Sequence, residues 1–116
     1  MGKRIQLTMA AAVLMFPLVV LAHAKLQSTS PAAGAQLAAA PKSLILDFNE
    51  SVKLAVLKIS SAGKEISVPY DEGASAAHVS VPLPALAPGT YQVKWSALTV
   101  DDGHVVKGAF SFVIKP

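Results

Sequence analysis

The sequence predicts an all-β domain, a small Greek-key antiparallel sandwich or barrel of about seven strands. Three observations predict it. Apolar residues recur with a period of two through most of the chain from residue 24 onward. Short stretches rich in Gly, Pro, Ser and Asp separate these runs. Only Ala33 to Ala40 has a composition that could hold a helical turn.

Ala24 to Ser28 is a short first strand, followed by the turn Ser30-Pro31-Ala32-Ala33-Gly34. Leu44 to Phe48 alternates, with Leu44, Leu46 and Phe48 on one face. Leu54 to Ser60 repeats the pattern, with Leu54, Val56 and Lys58 opposite Ala55, Leu57 and Ile59. Ser61-Ala62-Gly63-Lys64 reads as a hairpin turn into Glu65-Ile66-Ser67-Val68. Ala77 to Val81 places Val79 and Val81 together, and Pro82 to Gly89 carries three prolines that exclude a central strand. Thr90 to Leu98 sets Tyr91, Val93, Trp95 and Ala97 on one face, the best core stripe in the chain. Lys107 to Ile114 closes the domain with Phe110, Phe112 and Ile114 in register. There is no repeat and no sign of a second domain.

The amino terminus is of a different kind. Lys3 and Arg4 precede a run that is uncharged from Ile5 to Ala22 and almost wholly apolar from Met9 to Leu21. A membrane-spanning helix needs about 20 apolar residues, so the run is short for an anchor and reads as a secretory signal peptide over residues 1–22. That leaves residues 23–116 as a single exported domain. Val20-Leu21-Ala22 and Ala22-His23-Ala24 are both acceptable cleavage sites. The first, favoured because the apolar run ends at Ala22, makes His23 the new amino terminus; the second discards it.

Once residues 1–22 are removed, eight lysines face seven acids, and the net charge falls from +3 to about +1. No basic cluster remains, so a nucleic-acid partner is unsupported. Cysteine is absent, and the three methionines, Met1, Met9 and Met15, all precede residue 23. A metal held by this domain is therefore held by nitrogen and oxygen, a set that suits Cu(II) better than Cu(I).

Such a set is present. Asp102-Gly103-His104 joins the two most strongly predicted strands. In an extended segment, residues two apart share a side and lie about 6.5–7 Å apart, a span two side chains can close. Asp-Gly is also ordinary turn chemistry, and taken alone this fragment reads more readily as a turn. His23 as an amino-terminal residue adds an α-amine and an imidazole. Three nitrogens and a carboxylate oxygen make a tetragonal Cu(II) site; Zn(II) accepts His and Asp as well but prefers tetrahedral geometry.

On these residues the chain resembles the periplasmic copper-resistance proteins of the CopC/PcoC type. The resemblance runs through His-Ala-Lys-Leu at 23–26, Ser-Pro-Ala-Ala-Gly-Ala at 30–35 and Leu-Asp-Phe-Asn-Glu-Ser-Val at 46–52. It continues through Leu-Ala-Pro-Gly-Thr-Tyr-Gln-Val-Lys-Trp at 86–95 and Asp-Gly-His with Gly108 and Phe110-Ser-Phe. It implies a periplasmic protein with a cupredoxin-like or immunoglobulin-like sandwich and one Cu(II) per chain, held by His23, Asp102 and His104. It also implies Glu50 as a possible additional ligand and an inner-membrane CopD-like copper transporter as partner. The methionine-rich loop of the founding members is missing, and with it the expectation of a Cu(I) site.

Other polar residues get plainer readings. His78 alternates with Val79 and Val81 and is expected at the surface. Glu50 reads first as an exposed end-of-strand carboxylate, ahead of a ligand or an acceptor for a metal-bound histidine, and only Asp102, not Asp101, stands two residues from His104. Lys53, Lys58 and Lys64 read as charges that discourage pairing with other chains. The reading is thus a monomeric copper carrier or buffer and not an enzyme. The competing readings are a copper mono-oxygenase with an amino-terminal histidine, and a metal-free adhesion or accessory sandwich. No serine or cysteine stands in an evident nucleophile relation to Asp102 and His104, which argues against a hydrolase.

Overall fold

The computed structural model describes residues 24–116, and all its regular elements are strands. The expected signal segment and His23 lie outside the described residues. The strands are β1 (Leu26–Ser30), β2 (Gln36–Leu37), β3 (Ser43–Ser61), β4 (Lys64–Ile66), β5 (Ser75–Pro82), β6 (Gly89–Thr99) and β7 (Val105–Ile114). The all-β expectation and the count of seven hold.

One strand organises the rest. The two alternating segments read from the sequence as separate strands are a single strand, β3, that belongs to both layers. Its first part pairs antiparallel with β1 (Leu46 with Thr29) on one side and with β5 (Leu46 with Val79) on the other. Its second part pairs with β6 (Ile59 with Val93) and, at its end, with β4 (Ile59 with Ile66). β7 lies beyond β6 in a ten-rung antiparallel ladder from Leu98–Val105 to Gly89–Ile114. The sheet thus curls over itself, and Leu44, Leu46, Val52, Ile59, Val81, Val93 and Phe112 fill the space inside.

A β-bulge corrects one expected face. Leu54 pairs with Ala97 and Val56 with Ser96, so Ala55 is an extra residue in β3. The bulge moves Val56 outward while Leu54, Leu57 and Ile59 all stay in the core. Strict alternation, which set Leu57 opposite Leu54, cannot anticipate that. The Tyr70 hydroxyl donates to the Ala55 carbonyl at 3.0 Å, serving an acceptor at the bulge.

The remaining differences are local. Residues 33–40 hold no helical turn; Gln36–Leu37 instead pairs parallel with Val113–Ile114 of β7, so the sheet is mixed rather than wholly antiparallel. The Ser61–Lys64 hairpin is as expected, and its two central residues have positive φ, 52° at Ala62 and 79° at Gly63. That combination matches the right-handed twist of the flanking strands. Tyr91, Val93, Trp95 and Ala97 are all buried, and Trp95 meets Phe48 edge-on with ring centroids 5.2 Å apart. β5 ends at Pro82 and pairs only with β3, which keeps the proline at an edge.

Candidate metal centre

The β6–β7 connection is a tight loop built around Thr99. Thr99 is buried, and its main-chain N–H donates to the His104 carbonyl at 2.9 Å. The Gly103 N–H donates back to the Thr99 carbonyl at 2.9 Å. To close that turn the backbone goes left-handed at Gly103, with φ of 70°, a conformation that glycine adopts without penalty. The segment is therefore a turn, as Asp-Gly taken alone suggested, and it brings Asp102 and His104 together without the extended geometry.

The turn aims two donors at each other. Asp102 Oδ2 lies 2.8 Å from His104 Nδ1. Asp102 Oδ1 accepts from the Thr99 hydroxyl and, at 3.1 Å, from the His104 main-chain N–H. That same N–H also reaches the Thr99 hydroxyl oxygen at 3.0 Å. The Thr99 hydroxyl, followed by the bonds from His104, holds the Asp102 carboxyl well below the usual carboxylate range. Asp102 is thus an anion across the physiological range, as a metal ligand must be. The His104 side chain is more than half exposed, so an ion reaches it from solvent.

At 2.8 Å the pair is hydrogen-bonded, the separation a carboxylate and an imidazole adopt when a proton lies between them. An ion held by both side chains would take that proton's place. Among the described residues no group of three His, Cys, Asp or Glu side chains could hold a metal, so further donors have to come from elsewhere.

The amino-terminal arm ends at the same edge of the sheet. Leu26 pairs with Phe48, and one step further the Lys25 N–H donates to Asn49 Oδ1 at 2.6 Å. The Asn49 N–H donates to the Lys25 carbonyl at 3.0 Å, and Ala24 is buried in the core. Two residues past Asn49, the Ser51 carbonyl accepts from the Val100 N–H at 3.4 Å, and Val52 pairs with Thr99. Residues 49–52 therefore run from the amino-terminal arm to the β6–β7 loop.

The other candidates sort cleanly. Glu50 is half-buried between Asn49 and Ser51, and it does not join Asp102 and His104 in a three-ligand group. Asp101 is exposed beside them. His78 is exposed as expected, but it has a partner: its Nδ1 lies 2.5 Å from Oδ1 of Asp47, directly opposite on β3. Sequence reasoning missed Thr99 and Asn49. A hydroxyl residue three before Asp102 was a usable signal for the first; nothing local distinguished the second.

Comparison with known proteins identifies the family to which this fold belongs. A family model of the CopC domain matches residues 26–115. Protein YobA of Escherichia coli is 37% identical over 107 residues, with 83% of this chain and 82% of YobA covered. Copper resistance protein C of Escherichia coli is 30% identical, with 82% of this chain and 83% of that protein covered. The crystal structure of CopC from Methylosinus trichosporium superposes with a TM-score of 0.66 at 32% identity, covering 81% of this chain and 95% of that one. PcoC, a methionine-rich copper resistance protein from Escherichia coli, gives a TM-score of 0.66 at 28% identity, covering 81% of this chain and all of PcoC. The chain belongs to the CopC family of copper resistance proteins.

Proposed function

We propose that the protein is a periplasmic Cu(II) carrier or buffer, not an enzyme, and that it binds one Cu(II) per chain. Export removes residues 1–22 and exposes His23 as the amino terminus. The ligands are the His23 α-amine and imidazole, the Asp102 carboxylate and the His104 imidazole. The observation that carries the reading is the 2.8 Å approach of Asp102 Oδ2 to His104 Nδ1.

The donors are hard or borderline, and residues 23–116 contain no sulfur at all, so the bound state is Cu(II). Four protein donors in a plane leave no strongly activated open position, which favours holding and handing over an ion above catalysis. An inner-membrane CopD-like transporter is the natural recipient, and the carrier works as a monomer. Glu50, on the strand between the arm and the loop, is an additional carboxylate at that end of the molecule.

The test is Cu(II) titration of the exported protein, with its amino terminus sequenced. One equivalent bound with a nitrogen-rich tetragonal electron paramagnetic resonance signal is expected. An amino terminus at Lys25, or oxidative cleavage of a glycan by the copper-loaded protein, would overturn the reading.

A further inference from the structure

We propose that Asn49 is the positioning residue for the amino-terminal copper ligand, a role that rests on the copper reading above. β1 begins at Leu26, whose partner is Phe48. The next rung of an antiparallel ladder would pair Lys25 with Asn49 through two main-chain hydrogen bonds. Only one of these is made by the main chain, from the Asn49 N–H to the Lys25 carbonyl at 3.0 Å. In the other, the side-chain Oδ1 of Asn49 stands in for its carbonyl and accepts the Lys25 N–H at 2.6 Å.

This substitution lets two things happen together. The β3 backbone can turn away from β1 at residue 49 and reach β6, where the Ser51 carbonyl accepts from Val100. The amino-terminal arm stays clamped at Lys25 although the ladder has ended. Chain termini fray unless they are tied down, and a frayed amino terminus loses entropy when its amine and imidazole close on an ion. The clamp at Lys25, with Ala24 buried beside it, removes much of that freedom before copper arrives. An acceptor oxygen on a two-bond stem is needed: alanine has none.

The experiment uses the exported protein beginning at His23, with Cu(II) as the probe, in four forms. These are wild type, Asn49→Ala, wild type with one residue added before His23, and the same extension carrying Asn49→Ala. In the metal-free protein, Asn49→Ala should speed hydrogen exchange at the Lys25 amide, whereas Asn49→Asp, which keeps an acceptor oxygen, should retain its protection. Asn49→Ala should weaken Cu(II) about fivefold to tenfold, the scale of one lost hydrogen bond. It should have no effect in the extended chain, where the ligand it positions is already displaced.

A general structural role would weaken copper equally in both backgrounds, and that result would overturn the proposal. So would an unchanged affinity in Asn49→Ala with the Lys25 amide set free. Equal Cu(II) binding by wild type and the extended chain would remove the copper reading itself, and the role of Asn49 with it.

Discussion

Asp102 Oδ2 approaches His104 Nδ1 to 2.8 Å across a left-handed glycine, while Asp102 Oδ1 is held by Thr99 and the His104 main chain. The two oxygens of one carboxylate therefore have different tasks. One fixes the loop and the other faces the imidazole.

That division predicts an acid dependence for the metal-free protein. The folded-state pKa of Asp102 lies below its unfolded value of about 3.9. The stability this contributes is present above about pH 4 and is lost as pH falls through the depressed folded value. Asp102→Asn should therefore be less stable than wild type at pH 7, and the gap should narrow below about pH 4. Urea unfolding at pH 7 and pH 3 reads this directly. A gap that does not change with pH would show that the carboxylate charge is irrelevant to the loop.

Thr99→Val keeps the shape of a buried residue but deletes the hydroxyl that serves both Asp102 and His104. The loss should destabilise the fold measurably, because a buried hydroxyl that ties the loop together is gone, although its carboxylate partner stays solvated. The Asp102 carboxyl should also rise toward the ordinary range, which a carbon-detected NMR titration resolves. A Thr99→Val protein with wild-type stability and an unmoved carboxyl titration would mean that Thr99 only packs.

Gly108 is where β7 passes under the indole of Trp95. A Cβ built at Gly108 would sit 2.9 Å from Trp95 Cζ2, closer than atoms pack. Gly108→Ala should destabilise the fold by about 1–3 kcal/mol through overpacking. Trp95 is also the one described residue with a buried side-chain nitrogen lacking a hydrogen-bond partner. Its fluorescence should shift in the same variant if the ring is displaced. Denaturation unchanged in midpoint would contradict the close approach.

Deletion of Ala55 tests the bulge. Without the extra residue, strict alternation from Leu54 puts Val56 outward and Leu57 and Ile59 inward, the faces they already have. The deletion should therefore keep cooperative folding, as read by circular dichroism during urea unfolding, and lose only the carbonyl that Tyr70 serves. A deletion variant that no longer folds would mean that Ala55 is not a spare residue in the ladder.

Much of the fold was legible because period two is a strong signal when one strand face is buried. The buried stripe of Tyr91, Val93, Trp95 and Ala97 and the hairpin at Ala62-Gly63 follow from side-chain alternation and turn chemistry alone. Alternation failed at Ala55 because a bulge inserts one residue with no compositional mark. The parallel rung at Gln36–Leu37 was hidden because two residues are too few to show a period. Of the site, Asp102 and His104 were readable from their spacing. Thr99 had a usable local signal, a hydroxyl three residues before Asp102, but its role becomes plain only once the turn folds it back on the carboxylate; Asn49 had none, because its partner is distant in sequence. Asn49 meets Lys25 across 24 positions, a pairing that only the register of β1 against β3 reveals.

The central claim is that an amino-terminal His23 and the Asp102–His104 pair form one Cu(II) site. Cu(II) affinity of the exported protein, measured by competition with a chelator of known strength, tests it most directly. Wild type is compared with His104→Ala and with a chain carrying one extra residue before His23. The account predicts one tightly held Cu(II) in wild type and weakening by at least about a hundredfold in each variant, the scale of a lost ligand or second shell. Unchanged affinity in both variants would contradict it.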